Sequence, residues 1–293
     1  MKVLVTGVKG QLGFDVMNEL KKRGITGIGV DIDEMDITDS ESVKTVITEA
    51  SPDAVIHCAA YTAVDAAEDN VDLCRRVNRD GTQNIANVCK DLDCKMIYIS
   101  TDYVFDGKGT RSWEPDDKCF APLNIYGQSK LNGEFAVSET LYKFFIVRIA
   151  WVFGLNGKNF IKTMINVGKT HPEVRVVDDQ IGTPTYTKDL ARLLIDMIET
   201  DKYGFYHATN SECNPGEYIS WADLAEEAYK VAHMNVKVNR VSTKEYGLSI
   251  AARPENSRLN KEKLIEAGFK PLPDWKSAVK RYIAEAELFE IHK

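Results

Sequence analysis

Along the first half of the chain, short apolar blocks alternate with longer stretches in which apolar residues recur at helical spacing. Lys2 to Thr6, Gly27 to Val30, Ala54 to His57, Lys95 to Ile99 and Phe144 to Ile149 read as buried strands. Between them, the stretches ending near Lys22, around Ser42 to Ala50, from Asp65 to Asp91 and from Tyr126 onward read as helices. Such strict alternation predicts an α/β fold: a doubly wound, Rossmann-like parallel sheet with right-handed crossovers. Its ligand crevice should lie at the carboxyl ends of the strands.

After Gly154 the rhythm breaks. A helix over Asn159 to Val167, a strand over Val174 to Val177, a helix over Thr187 to Glu199 and a strand over Gly204 to His207 are expected. Beyond Ala208 the turn-rich Asn214-Pro215-Gly216 and the helix Trp221 to His233 suggest a smaller, less regular lobe. The expected organisation is a dinucleotide-binding domain over residues 1–151, with 174–207 returning to it. Residues 152–173 and 208–260 should form a C-terminal substrate lobe, and 261–293 the closing helices.

Two patterns carry chemistry. Gly7-Val8-Lys9-Gly10-Gln11-Leu12-Gly13 stands between the first strand and the first helix, where glycines allow a tight turn, close approach to a pyrophosphate and close helix packing. Asp31 ends the second strand, where a carboxylate meets an adenosine ribose, and the small residues of Cys58-Ala59-Ala60-Tyr61-Thr62 suit a backbone lying against a cofactor. The second pattern is Tyr126-Gly127-Gln128-Ser129-Lys130. Residues four apart share a helix face, and a nearby ammonium favours the phenolate, so this pair can move a proton at a carbonyl oxygen.

Composition narrows the partners. A net charge of −7 over 293 residues disfavours general nucleic-acid binding, and no apolar run approaches a membrane span. Without an apolar leader, the expected location is the cytoplasm. Six cysteines without a CxxC pair fit free thiols in a reducing compartment, and the scattered histidines offer no zinc spacing.

Taken together, Gly7-x-x-Gly10-x-x-Gly13, Ala59-Ala60, Ser100-Thr101-Asp102 and Tyr126-x-x-x-Lys130 resemble the extended short-chain dehydrogenase/reductases. Ser100 to Gly107, Tyr126 to Glu134, Trp151 to Gly154, Asn159-Phe160, Asp179 to Thr185 and Arg253 to Ser257 are similar, within that group, to the dTDP-4-dehydrorhamnose reductase family. The resemblance implies an NAD(P)H-dependent reduction of the C4 keto group of a nucleotide-linked 4-keto-6-deoxy sugar. It casts Tyr126 as proton donor, Lys130 as the residue that holds the nicotinamide ribose and lowers the Tyr126 pKa, and Thr101 as hydrogen-bond donor to the same oxygen. Cofactor contacts are then expected at Gly7, Gly10, Gln11, Leu12, Gly13, Asp31, Asp36, Ala59, Ala60 and Tyr61, besides Tyr126 and Lys130. Thr62, Val64, Thr101, Asp102, Tyr103, Trp151 and Arg253 are the expected substrate contacts, Arg253 at the diphosphate. Asp31, with no arginine immediately after it, favours NADH over NADPH.

Some members of the family hold a divalent metal across a dimer. Asp15, Asp189, Glu287 and Glu290 could contribute here, but such carboxylates more often form a solvated face, so no metal is expected and homodimerisation stays open. A sugar-nucleotide epimerase or dehydratase, or a non-catalytic dinucleotide-binding subunit, are the alternatives. Tyr103 directly after Thr101-Asp102 disfavours the dehydratase.

Overall fold

The computed structural model describes the backbone of residues 1–291 and the side chains of residues 1–286. The first part runs β1 (Lys2–Thr6), α1 (Gln11–Lys22), β2 (Thr26–Val30), α2 (Ser40–Ala50), β3 (Ala54–His57), α3 (Val64–Asp69), α4 (Val71–Arg75), α5 (Thr82–Asp91), β4 (Lys95–Thr101), α6 (Ile125–Ser138) and β5 (Phe144–Ile149). The second runs β6 (Val152–Phe153), α7 (Phe160–Gly168), β7 (Glu173–Val177), β8 (Ile181–Gly182), β9 (Thr185–Tyr186), α8 (Thr187–Ile198) and β10 (Gly204–His207). It closes with β11 (Ile219–Ser220), α9 (Trp221–Val231), β12 (Lys237–Val241), α10 (Thr243–Tyr246), β13 (Asn256–Ser257), α11 (Glu262–Glu266) and α12 (Trp275–Ile291).

As the alternation predicts, the centre is a parallel six-stranded sheet, ordered β2-β1-β3-β4-β5-β10. Successive residues of each strand feed opposite cores. Val3 and Val5 pack with Leu12, Val16 and Leu20 of α1 and Leu190 and Leu194 of α8, while Leu4 packs with Val43, Ile47, Ile85 and Val137 of the helices on the other face. The strand order reverses at β1, so the loops after β1 and β3 diverge around a crevice.

Three differences from the sequence reading bear on the site. β4 extends to Thr101, because Ser100 and Thr101 pair with Arg148 and Ile149 of β5. Between α4 and α5 the helix widens to a π turn over Arg76–Gly81, which carries the buried Asn78. Of residues 174–207, α8 and β10 return to the central sheet, whereas β7 pairs with β12 in a separate two-stranded sheet. An edge strand of five residues takes its partner from tertiary context, which periodicity does not encode.

The remaining lobe is built on β11-β8-β13 and on α7, α9 and α12, whose apolar faces meet around Phe153, Ile161, Tyr186, Leu224 and Tyr282. Among the described residues, no helix is long and apolar enough to cross a membrane.

Candidate active site

The crevice begins at β1. Gly7 has φ +69°, and a Cβ there would lie 2.7 Å from the Ala59 nitrogen, so only glycine lets the loops after β1 and β3 come this close. Gly13 leaves equally little room against Gly7, which seats α1 on the turn and aims its N-terminus at the opening. The turn is braced from below. Thr6 Oγ1 accepts from the Ala59 nitrogen at 3.1 Å and contacts His57 Nδ1 at 2.8 Å, and burial pushes the His57 pKa down to about 3, keeping it neutral.

Asn78 in the π turn holds the next segment. Its side chain accepts from the Tyr61 nitrogen at 2.8 Å, donates to the Tyr61 carbonyl at 3.0 Å and donates to Ser129 Oγ at 2.9 Å. One amide therefore ties the loop after β3 to helix α6, a use typical of π turns near functional sites.

Helix α6 starts cleanly. Asn124 caps it, its side chain accepting from Gly127 N at 2.7 Å, and Gly127 lets the first turn pack against the Tyr103 carbonyl. Tyr126 then meets Tyr103 edge to face, ring centres 5.7 Å apart, and one turn later Lys130 is buried with its ammonium 4.1 Å above the Tyr98 ring. Burial pulls the Lys130 pKa down to about 7, against the opposing pull of Glu134, Cys58 and Cys74. On Tyr126, burial and then the Asp102 charge push the phenol above its ordinary value, and the Thr101 hydroxyl pulls it back in part.

Thr101 ends β4 with its hydroxyl donating to Asp102 Oδ1 at 3.0 Å and accepting from the Tyr103 nitrogen at 3.2 Å. Asp102 is 2% exposed, and burial raises its carboxyl to about 6 while the Ser257 and Thr101 hydroxyls oppose the rise. Among the described residues, Asp102 Oδ2 and the Ser257 hydroxyl find no partner at full hydrogen-bond geometry.

These groups open onto one cleft of about 600 Å³. Gly7, Gly10, Gln11, Leu12, Gly13, Asp31, Ala59, Ala60, Thr62, Val64, Thr101, Asp102, Tyr103, Tyr126, Lys130 and Trp151 all line it. Asp36 lies beyond, in an adjoining cavity of about 370 Å³ that shares Gly7, Asp31, Ala59 and Ala60, and its carboxylate fixes the turn through Thr38. Asp31 accepts from the Lys9 nitrogen at 2.9 Å. Tyr61 takes part through the backbone that Asn78 holds, and it lines neither cavity among the described residues. Arg253 stands in a third cavity of about 300 Å³, joined to the cleft through Tyr103 and Trp221, where both its terminal nitrogens pair with Asp65 at 3.0 and 2.7 Å.

Other lining residues escaped sequence reasoning. Lys9, Lys158 and Trp221 join the cleft, Arg76 the adenosine-side cavity, and Arg175, Gln180, Thr243 and Tyr246 the third. Lys158 had a signal in its place just before Asn159, whose amide donates to Gly154 O, Gln11 Oε1 and Tyr282 Oη; the others come from the lobe or from helix faces without a motif. As for the metal, Asp189 is taken up by Arg281 and Asn210, and Asp15 by Thr187. The side chains of Glu287 and Glu290 lie outside the described residues.

Comparison with known proteins gives the chain's family. The family described as RmlD substrate binding domain matches residues 1–288. The chain belongs to this family. Its relatives include the spore coat polysaccharide biosynthesis protein SpsK of Bacillus subtilis, 38% identical with 97% of each chain covered. The dTDP-4-dehydrorhamnose reductase of Aggregatibacter actinomycetemcomitans is 37% identical, with 98% of this chain and 99% of that protein covered. Among solved structures, dTDP-4-dehydrorhamnose reductase from Bacillus anthracis in complex with NADP superposes with a TM-score of 0.92 at 40% identity, covering 97% of this chain and 99% of that one. The match to the RmlD family runs through both the sheet and the lobe, so it covers the cleft and the third cavity alike.

Proposed function

We propose that the protein reduces the C4 keto group of a nucleotide-linked 4-keto-6-deoxy sugar, dTDP-4-dehydrorhamnose to dTDP-L-rhamnose, with NADH or NADPH. The observation that carries this reading is the convergence of Thr101, Tyr126 and Lys130 in one cleft whose far end is the glycine cradle. Its residues fit a dinucleotide: small residues, Gly7, Gly10, Gly13, Ala59 and Ala60, line that end of the cleft, and Gln11 and Leu12 at the N-terminus of α1 face the same space, where backbone N–H groups suit a pyrophosphate. A bound reduced nicotinamide supplies the hydride.

The chain's own residues do the rest. Tyr126 delivers its proton to the sugar's C4 oxygen as charge develops there, and the Lys130 ammonium holds the developing phenolate. Thr101 donates to the same oxygen, exchanging its present bond to Asp102 for one to substrate. Trp151 and Val64 wall the sugar, Thr62 and Tyr103 edge it, and the diphosphate extends toward Arg253, which gives up part of its fork to Asp65. The nucleoside then occupies the third cavity, beside Arg175 and Tyr246.

Both dinucleotides are accepted, NADH at least as well as NADPH. Asp31 lines both cavities at the adenosine end, where it accepts from ribose hydroxyls and repels a 2′-phosphate. Arg76 in the same cavity tempers that repulsion. The test is to supply a panel of nucleotide 4-keto-6-deoxy sugars with either cofactor, follow oxidation of the nicotinamide and read the C4 configuration of the product by NMR. Turnover confined to other substrates, or none, overturns the assignment.

A further inference from the structure

We propose that Glu134 is a positioning residue of this site: its carboxylate, fixed by Arg148 and Ser100, sets helix α6 against the ends of β4 and β5. The proposal rests on the reductase reading above. Glu134 is 1% exposed and lies one turn past Lys130, on the same face of α6. Its Oε1 accepts from Ser100 Oγ at 2.5 Å and from Arg148 Nε at 2.8 Å, and its Oε2 accepts from Arg148 Nη2 at 2.7 Å. Ser100 immediately precedes Thr101, and Arg148 leads β5 into Trp151. A single carboxylate thus ties together the segments that carry Thr101, Lys130 and Trp151.

Arg148 is held as firmly. Its Nη1 donates to the Pro115 carbonyl at 3.0 Å, and its guanidinium sits among the rings of Phe105, Phe120 and Phe205, at 5.0, 5.5 and 5.2 Å. Neutral His207 is its other polar neighbour, at 3.4 Å, and burial holds that imidazole well below its ordinary pKa. Charges this deep are costly to desolvate, and an apolar pair of the same size is often as stable or more so. Stability alone therefore gives no reason for the pair. Geometry does, because catalysis is sensitive to ångström-scale displacement of a donor.

The carboxylate also acts through space. Glu134 is the largest influence that raises the Lys130 pKa, alongside Cys58 from the loop after β3 and Cys74 from α4. His57 of β3 is neutral, and Tyr98 of β4 and Tyr126 of α6 carry their protons, so none of these supplies a competing charge.

The decisive variant is Glu134→Leu with Arg148→Met, which keeps the volume and leaves no lone buried charge. It should fold with a melting temperature at or above wild type and bind NADH within about threefold. Its kcat should fall at least about tenfold with KM little changed. In Glu134→Gln, which removes the carboxylate's charge and leaves Arg148 in place, Lys130 should also titrate lower, read from its rate of acetylation by acetic anhydride against pH, with mass spectrometry to identify the site. That readout needs no turnover, so it stands apart from the choice of sugar substrate. A double variant with the wild-type kcat overturns the proposal, as does an acetylation profile unmoved in Glu134→Gln. If the double variant fails to fold, Ser100→Ala carries the same test. It removes only the hydroxyl next to Thr101, and an unchanged kcat there overturns the proposal as well.

Discussion

The indole of Trp151 is stacked on that of Trp221, ring centres 4.1 Å apart and planes 23° from parallel. Trp151 reaches this position with φ +51°, an uncommon backbone conformation for a bulky residue. Strain of this kind costs about 1–3 kcal/mol and persists where surrounding contacts over-determine it. Both indoles line the cleft. Trp151→Ala should therefore raise KM for the sugar nucleotide by roughly tenfold or more while the melting temperature stays close to wild type. An unchanged KM with a large fall in melting temperature would assign Trp151 to the core instead.

Removing only the phenolic hydroxyl isolates proton delivery. Tyr126→Phe should lower kcat by about 10² to 10⁴-fold and leave dinucleotide affinity near wild type, measured by NADH fluorescence. Retention of more than about a tenth of the wild-type turnover would show that another group supplies the proton.

Asp102 links stability to pH. Its carboxyl is raised to about 6 by burial, so the folded state favours its neutral form. That contribution is fully present below the ordinary carboxyl pKa near 4 and is lost as pH rises through about 6. At neutral pH the buried charge is then a burden on the order of 3 kcal/mol, which Asp102→Asn removes. The variant should be more stable than wild type at pH 8 and equal to it near pH 4, by urea titration. A gain of the same size at both values would refute the assignment.

Cofactor preference offers a ratio that cancels many other effects. Asp31→Ala should move the ratio of kcat/KM for NADPH over NADH upward by roughly tenfold. A clear wild-type preference for NADPH, or a ratio unmoved by the substitution, would remove Asp31 from this role.

The sheet and the cleft floor were legible because their signals are local. Apolar blocks such as Val3 to Val5, the glycines after them, and a tyrosine and lysine one turn apart each describe their own backbone. The π turn around Asn78 was not, because it depends on what the side chain finds in Tyr61 and Ser129, far away in sequence. Trp221 and Arg76 carry no motif and are brought to the cavities by packing alone. The partner of Arg253 was foreseeable as a type, a carboxylate, but not as Asp65. Nor could Glu134 be separated from its helical motif until Arg148 and Ser100 were seen to meet it.

The lobe is woven rather than appended. The chain leaves the central sheet after β5, returns for α8 and β10, and leaves again for β11 to β13, while Trp113 in the long loop after β4 bridges to Leu259. Recombination between relatives that differ in sugar or base preference must respect this weave. A single crossover after β5 would pair one parent's β5 with the other's β10, and one parent's Arg148 with its own Glu134 but the other's Phe205 and His207. Exchange of preference is better sought with three crossovers, after β5, before α8 and after β10, so that the sheet is inherited whole and the alternating segments that supply most of the third cavity change hands.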